Sequence, residues 1–337
     1  MTAMRMGTVA RTKVCARSVA VAVTAVALAV VTGCAVGPGA SRATRGAVAR
    51  PAAARDVADR SAGAAGARAG QAAACDPQAS SLAPSGPPQV TPGSFMAKIL
   101  ARGHLSAGVD QSTYHFGYLN PLDGNIEGFD IDMVRAVAAA IFGNPDKVQY
   151  KAISDAQRTP DIRHGDVDIV AHTMTILCSR LRDVDFSSVY FDAHQRVLVP
   201  KNSTATGLAS LAGQKVCATA GSDSAKFLAS YPARPRLVTV PYWTDCLVLL
   251  QQRQVAAVST DDSILYGFKA QDPFTKVVGP PLTDEPYGLA ISKEHPDFVR
   301  FVNAVLARER AGGGWAASYA HWIGTPVPAP PAARYAS

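Results

Sequence analysis

The stretch GNIEGFDIDMVRAVAAAIFG, Gly124 to Gly143, is where the fold becomes legible. From Asp130 to Phe142 it reads as a helix. Ile131, Val134, Ala138 and Ile141 recur at helical spacing and so share one face. Gly143 supplies the stop, because a residue without Cβ takes the left-handed conformation that ends helices. Asp130 and Asp132 stand in the first turn, at the positive end of the helix dipole, and read as structural acids. A short apolar strand, His104–Val109, precedes the helix.

Outward from this pair the alternation continues. Lys147–Ile153, Val167–Thr173 and Val197–Pro200 read as strands. A second series starts at Lys215, with strand Val216–Thr219, helix Ser224–Ala229, strand Leu237–Val240 and helix Thr244–Gln252. Strand Ala256–Ser259, helix Asp262–Lys269, strand Tyr287–Ser292 and helix Pro296–Arg310 complete it. Alternation of this kind implies an α/β fold with largely parallel sheets. Two series imply two lobes. Ligands of open α/β sheets bind at the carboxyl ends of strands, so the cleft between the lobes is the place to look.

Composition narrows the function. The 337 residues are 48% hydrophobic and 18% charged, enough apolar material for a core and too much for a wholly disordered chain. The net charge of +7 is confined to the N-terminal part. Ten basic and three acidic residues precede Ser94, which leaves 23 of each in the rest of the 33 basic and 26 acidic residues. A neutral folded part has no footprint for a polyanion, so no nucleic acid is expected as partner.

The N-terminus carries an address. A basic segment is followed by the apolar run Val19–Val31, short for a membrane span and suited to a signal-peptide core. It ends Val31-Thr32-Gly33-Cys34, which resembles the cleavage box of bacterial lipoproteins. That resemblance implies a signal peptide over 1–33, lipidation of Cys34 and a membrane-anchored, extracytoplasmic protein. An ordinary signal peptide or a retained anchor is the alternative. Residues 34–93 read as a flexible tether, rich in Ala, Gly, Arg, Ser and Pro, and 326–337 as a Pro/Ala-rich tail. Beyond Cys15 and Cys34, four cysteines remain, at 75, 178, 217 and 246. An even number in an exported chain suggests two disulfides, with three possible connectivities. Their spacing and the lack of flanking histidines argue against a metal site.

Several segments, in order, resemble the family 3 extracellular solute-binding proteins. They are Gly124–Asp132, Gly165–Asp168 with Met174, Thr175 and Arg180, Asp185–Ser187 with Tyr190, Ala220–Ser222, Ala256–Asp261 and Glu285–Gly288. The cysteine positions and the tail look most like the actinobacterial glutamine-binding (GlnH-type) lipoproteins. The resemblance implies a periplasmic-binding-protein-like (type II) fold. Lobe one would comprise 94–197 and 286–325, and lobe two 198–285. Cys217 and Cys246 both fall in lobe two, which favours their pairing and leaves Cys75 with Cys178.

The chemistry of an amino-acid ligand agrees with the residues at hand. A closed cleft must neutralise a carboxylate and an ammonium, since burying an unpaired charge is costly. Arginine meets a carboxylate with two parallel charge-assisted bonds, and a carboxylate meets the ammonium. By the resemblance, Arg180 binds the carboxylate, helped by Thr175, by the backbone at Thr173 and by Ser222 at a helix N-terminus. Asp261 binds the ammonium; capping the next helix is its plainer role. Tyr114 or Phe116 packs on the ligand's side chain, although either ring also suits a core. His172, beside Thr173, is a possible side-chain contact or a satisfied interior histidine. Asp223 departs from the family, which commonly has Thr, Ser or Gly there. A carboxylate at that position repels the ligand's own unless it turns away, and keeps open a ligand of extra positive charge.

The expected function is binding of a polar amino acid of the Gln, Glu, Asn or Asp class, by a monomer without metal or cofactor. The receiver would be an ABC permease or a membrane sensor. An acidic ligand would need a further cation, for which Arg158, His172 and Lys226 are candidates. The rival reading is a dehydratase-like enzyme on the same fold, with His172 as its one candidate acid or base. No nucleophile elbow or Ser/His/Asp order supports an enzyme.

Overall fold

The computed structural model describes residues 75–336. The signal segment, Cys34 and the tether up to 74 lie outside the described residues. The elements in chain order begin with α1 (Phe95–Arg102), β1 (Leu105–Val109), β2 (Ser112–Thr113), β3 (Gly117–Leu119), β4 (Ile126–Glu127) and α2 (Phe129–Phe142). Next come β5 (Val148–Ala152), α3 (Arg158–His164), β6 (Ile169–Ala171), β7 (Asp185–Phe186) and β8 (Phe191–Pro200). The second series is β9 (Lys215–Thr219), α4 (Asp223–Ser230), β10 (Arg236–Val240), α5 (Trp243–Gln251), β11 (Ala257–Asp261), α6 (Asp262–Gln271) and β12 (Thr275–Val278). The chain returns through β13 (Asp284–Tyr287), β14 (Ala290–Ile291), α7 (Pro296–Gly312) and α8 (Gly314–Trp322).

Two sheets organise two lobes. The first has the order β5-β1-β6-β14-β7, the second β10-β9-β11-β8-β12, with β13 also on β8. Strands β1, β5 and β6 are parallel, as are β9, β10 and β11. Strands β8, β12, β13 and β14 run antiparallel to their neighbours. The sheets are therefore mixed rather than largely parallel. The reason is topological: β8 and β13 carry the chain between the lobes and enter the sheets from the opposite end.

Each lobe buries its own apolar residues. α2 ends at Gly143, φ +68°, and buries Phe129, Val134, Val137 and Ile141 with α7 residues Phe298, Val302 and Val305. The second core gathers Val197–Val199, Leu228, Trp243, Leu250 and Phe268. β8 joins both. Phe191 and Ala193 pack in the first core and Val197, Leu198 and Val199 in the second. The crossover thus lies within β8, ahead of the break expected at 197/198. β13 lies antiparallel beside it, Tyr287 opposite Phe191 and Asp284 opposite His194, so two paired strands connect the lobes.

The Cys75–Cys178 and Cys217–Cys246 pairs are disulfide-bonded, with Cα atoms 6.0 and 5.6 Å apart. Residues 75–93 differ from the flexible reading of 34–93. The Ser81 hydroxyl donates to Phe186 O at 2.7 Å, and Arg300 donates to Ala83 O at 2.6 Å. Buried Asn303 donates to Ser81 Oγ and Leu82 O, each at 2.7 Å, and its Oδ1 accepts the Ser188 N–H at 2.7 Å. The tail returns to the same strap, with Ala336 N–H donating to Ser81 O at 2.8 Å and Arg334 paired with Asp76 at 2.9 Å. Side-chain to backbone bonds and a disulfide fasten this segment, and neither produces the hydrophobic periodicity by which a sequence announces structure.

Asn303 serves three partners in a dry site. Asn303→Ala should destabilise the protein by about 2–4 kcal/mol, because buried donors and acceptors lose their partners. Urea unfolding measures it; a loss below about 0.5 kcal/mol would mean the strap is not fastened there.

Candidate functional site

Loops at the carboxyl ends of the strands meet between the lobes, as expected of open α/β sheets. The segment after β6 is buried from His172 to Ile176. Thr173 adopts φ +41°, an unfavourable conformation for a β-branched residue. Asp130 holds it there: the Thr173 N–H donates to Asp130 Oδ2 at 2.7 Å, and the Tyr190 hydroxyl to Oδ1 at 2.5 Å. Burial pushes the Asp130 carboxyl up to about 6, against the pull of these two donors. Asp130 is thus structural, and its work is to set the turn that leads to Thr175 and Arg180.

Arg180 is 7% exposed. Its Nη1 donates to Thr175 O at 2.7 Å, and its Nη2 reaches Asp223 Oδ1 of the other lobe at 3.1 Å. The hydroxyls of Thr173 and Thr175 are buried without a hydrogen-bond partner among the described residues. Such groups are expensive to leave unpaired.

Lobe two contributes acids. Ser222 caps α4; its Oγ accepts the Ala225 N–H at 3.0 Å and donates to Thr219 O at 2.8 Å. Asp223 follows in the first helical turn. Burial works to raise its carboxyl, but the Arg180 guanidinium, together with a hydrogen bond from Glu285, the charge of Arg158 and a backbone hydrogen bond, holds it below the usual range. Asp261 ends β11, and its side chain makes no helix-capping bond. Its Oδ2 accepts the Tyr287 hydroxyl at 2.5 Å, and that hydroxyl lies 2.7 Å from Ser263 Oγ. Burial and the nearby negative charge of Asp223 push the Asp261 carboxyl well up. Glu285, on β13, is 5% exposed and accepts the Thr283 hydroxyl at 2.5 Å. Burial, then the charges of Asp261 and Asp223, push it up to about 9.

A further charge cluster links the two lobes. Arg158 pairs with Asp155 at 2.8 Å and donates to His172 O at 3.0 Å. Thr219 of lobe two hydrogen-bonds Asp155 of lobe one. Gly221, φ +83°, lets this approach happen, since a Cβ there would stand 2.7 Å from Ala156 Cα.

The structure therefore brings Arg180, Thr173, Thr175, Ser222 and Asp261 to the space between the lobes. Phe116 does not join them. It is fully buried among Phe129, Phe191 and Tyr287, the core alternative of its reading. Tyr114 is half-buried beside Tyr118, and its backbone abuts Gly267 of α6. His172 is an interior histidine whose Nε2 lies 2.9 Å from Ile153 O. Glu285, Tyr287 and Asp155 are site residues that the sequence reading does not name, and Arg158, named there only as a spare cation for an acidic ligand, is paired with Asp155. The Glu285-Pro-Tyr-Gly stretch was the available signal, but it read as a return strand beginning at Tyr287.

Comparison with known proteins follows this geometry. The model of the bacterial extracellular solute-binding proteins, family 3, matches residues 105–325. The ABC transporter glutamine-binding protein GlnH of Bacillus subtilis is 35% identical over 229 residues, 68% of this chain and 84% of that one. The glutamine-binding protein of Geobacillus stearothermophilus is 34% identical, over 61% of this chain and 79% of that one. Among solved structures, an ancestral arginine-binding protein superposes with a TM-score of 0.62 at 30% identity. It covers 66% of this chain and 99% of its own, and was solved with arginine and with glutamine. The L-cysteine solute receptor of Neisseria gonorrhoeae gives 0.65 at 26% identity, over 69% and 94%.

The raised Glu285 carboxyl predicts a pH effect. The native protein keeps a proton that the unfolded chain releases between about pH 4.5 and 9. Its contribution to stability is complete below about pH 4.5 and is lost as the pH rises to about 9. Glu285→Gln, which mimics the protonated acid, should flatten that decline. Denaturant unfolding of both proteins across the window checks this, and an unchanged slope would show Glu285 ionised in the native state.

Proposed function

The chain belongs to the bacterial extracellular solute-binding proteins of family 3, and on that premise we propose that it captures a free polar amino acid between its lobes. The observation that carries the reading is a buried cation on one lobe and a buried carboxyl on the other. Arg180 and Asp261 are 7% and 5% exposed. Arginine binds the ligand's α-carboxylate through its fork, and Asp261 binds the α-ammonium. The unpartnered hydroxyls of Thr173 and Thr175 gain a carboxylate to which they donate. The ammonium relieves Asp261, whose carboxyl is pushed upward by burial and by Asp223. Ser222 contributes through α4, whose N-terminal N–H groups favour an anion, rather than through its hydroxyl, which is committed to the cap.

The names of the relatives, glutamine-binding and glutamate-binding, support a ligand of the Gln, Glu, Asn or Asp class. The chain delivers that ligand as a monomer to an ABC permease or a membrane sensor, from the outer face of the membrane. Cys34, lipidated, anchors it, and the tether leads from there to the binding lobes. Acyl chains bind the bilayer with about 0.8 kcal/mol per buried methylene.

Truncating either charge strands its ligand partner in a dry cleft. Arg180→Ala and Asp261→Ala should each cost about 2–5 kcal/mol of binding, a loss of roughly 30-fold to several thousand-fold. Titration calorimetry against the twenty common amino acids decides it. Affinity within about threefold of wild type for folded Arg180→Ala would leave this arginine as a lobe-to-lobe ion-pair residue only.

The anchor is tested separately. Cys34→Ser should release the protein from membranes with amino-acid affinity unchanged. Continued membrane association of the variant would assign the anchoring to a retained helix.

A further inference from the structure

The amino-acid reading leaves Asp223 unexplained, and its surroundings give it a role. Ser222 already caps α4, so the Asp223 carboxylate is free for other work. It lies against Arg180 Nη2 at 3.1 Å, while Nη1 is taken by Thr175 O. The guanidinium surface on which a ligand carboxylate would form its two bonds is thus held by the protein's own acid. The second oxygen of Asp223 and Oε2 of Glu285 are both buried without a hydrogen-bond partner among the described residues, and the two carboxyl groups adjoin.

We propose that Asp223 is an internal counter-ligand: it holds Arg180 in the empty protein and exchanges, one for one, with the α-carboxylate of the incoming amino acid. The proposal rests on the reading of Arg180 as the carboxylate site and names the ligand class of that site. Asp223 keeps its neighbour when it leaves Arg180. The carboxyl of Glu285, in its protonated form, donates a hydrogen bond to the Asp223 carboxylate, so no charge is stranded without a partner. No bond is made or broken in this exchange.

One-for-one exchange sets a limit on ligand charge. Only one buried guanidinium is released. The other, Arg158, stays closed by Asp155 and His172 O. Arg182 and Lys226, which share a cavity of about 350 Å³ with Arg180, are solvent-exposed, where an ion pair contributes about 0–1 kcal/mol. A second ligand carboxylate would instead meet the negative charge of the displaced Asp223, with no free buried cation to answer it. The cleft therefore selects amino acids with a single carboxylate, such as the carboxamides glutamine and asparagine, over the dicarboxylates glutamate and aspartate.

The test is titration calorimetry at neutral pH on the mature protein, wild type and the variants Asp223→Ser and Asp223→Asn. The probes are glutamine, asparagine, glutamate, aspartate, arginine and lysine. An internal competitor lowers apparent affinity by the fraction of sites it occupies. Both variants should bind the preferred monocarboxylate at least about tenfold more tightly than wild type. In wild type the dicarboxylates should be about tenfold or more weaker than their amides, and the gap should narrow in both variants. Unchanged or weaker binding in both folded variants overturns the proposal, as does wild-type binding of glutamate at least as tight as glutamine. Absence of binding by every probe in all three proteins overturns the amino-acid reading itself, and with it the exchange.

Discussion

Arg180 brings a full positive charge into a space from which water is nearly excluded, and most of the site is arranged around that fact. A buried guanidinium without a partner is untenable. Its partners here are Thr175 O from its own loop and Asp223 from the other lobe. The ion pair consequently does two things at once. It neutralises the charge, and it draws the lobes together. The Asp155–Arg158 pair, tied to Thr219 of lobe two, repeats the arrangement further inward. A binding protein built this way makes lobe-to-lobe polar contacts that a ligand can replace with its own charges.

The scaffold keeps those charges in place. Asp130, at the start of α2, fixes the positive φ of Thr173 and so the course of the loop to Arg180. Asp261 is held from β13 by Tyr287. β13 and β8 are also the two strands that join the lobes, so the residue that orients the acid of lobe two stands on the connection itself. Any relative motion of the lobes therefore acts on the Tyr287–Asp261 bond. The Cys75–Cys178 disulfide ties the strap to the same loop that carries Thr175 and Arg180.

Part of this is legible in the sequence alone. The helix from Asp130 to Phe142 is α2 to within a residue, because its apolar spacing and its terminal glycine are local properties. Arg180, Thr175 and Asp261 are singled out by the resemblance to family 3 rather than by residue type, since by type alone Arg180 suits a surface ion pair and Asp261 a helix cap. What escaped was non-local. α3 lacks an apolar stripe, since it buries Arg158 and Asp161 with Ile162. Strand β8 begins at Phe191, earlier than the reading at Val197, because its first half packs in one core and its second half in another. Glu285 looks in sequence like a turn residue before proline. Only burial beside Asp223 and Asp261 raises its carboxyl. Strap 75–93 is held by hydrogen bonds to Asn303, Arg300 and Phe186, more than 100 positions away in the chain.

The central claim is that one lobe takes the carboxylate and the other the ammonium of an amino acid. A crystal structure of the protein grown with its preferred amino acid tests this most directly. The account predicts the ligand carboxylate forked on the Arg180 guanidinium, with Asp223 turned away from it, and the ligand ammonium within hydrogen-bond distance of Asp261. An amino acid bound with Arg180 still paired to Asp223, or with its ammonium away from Asp261, would contradict it.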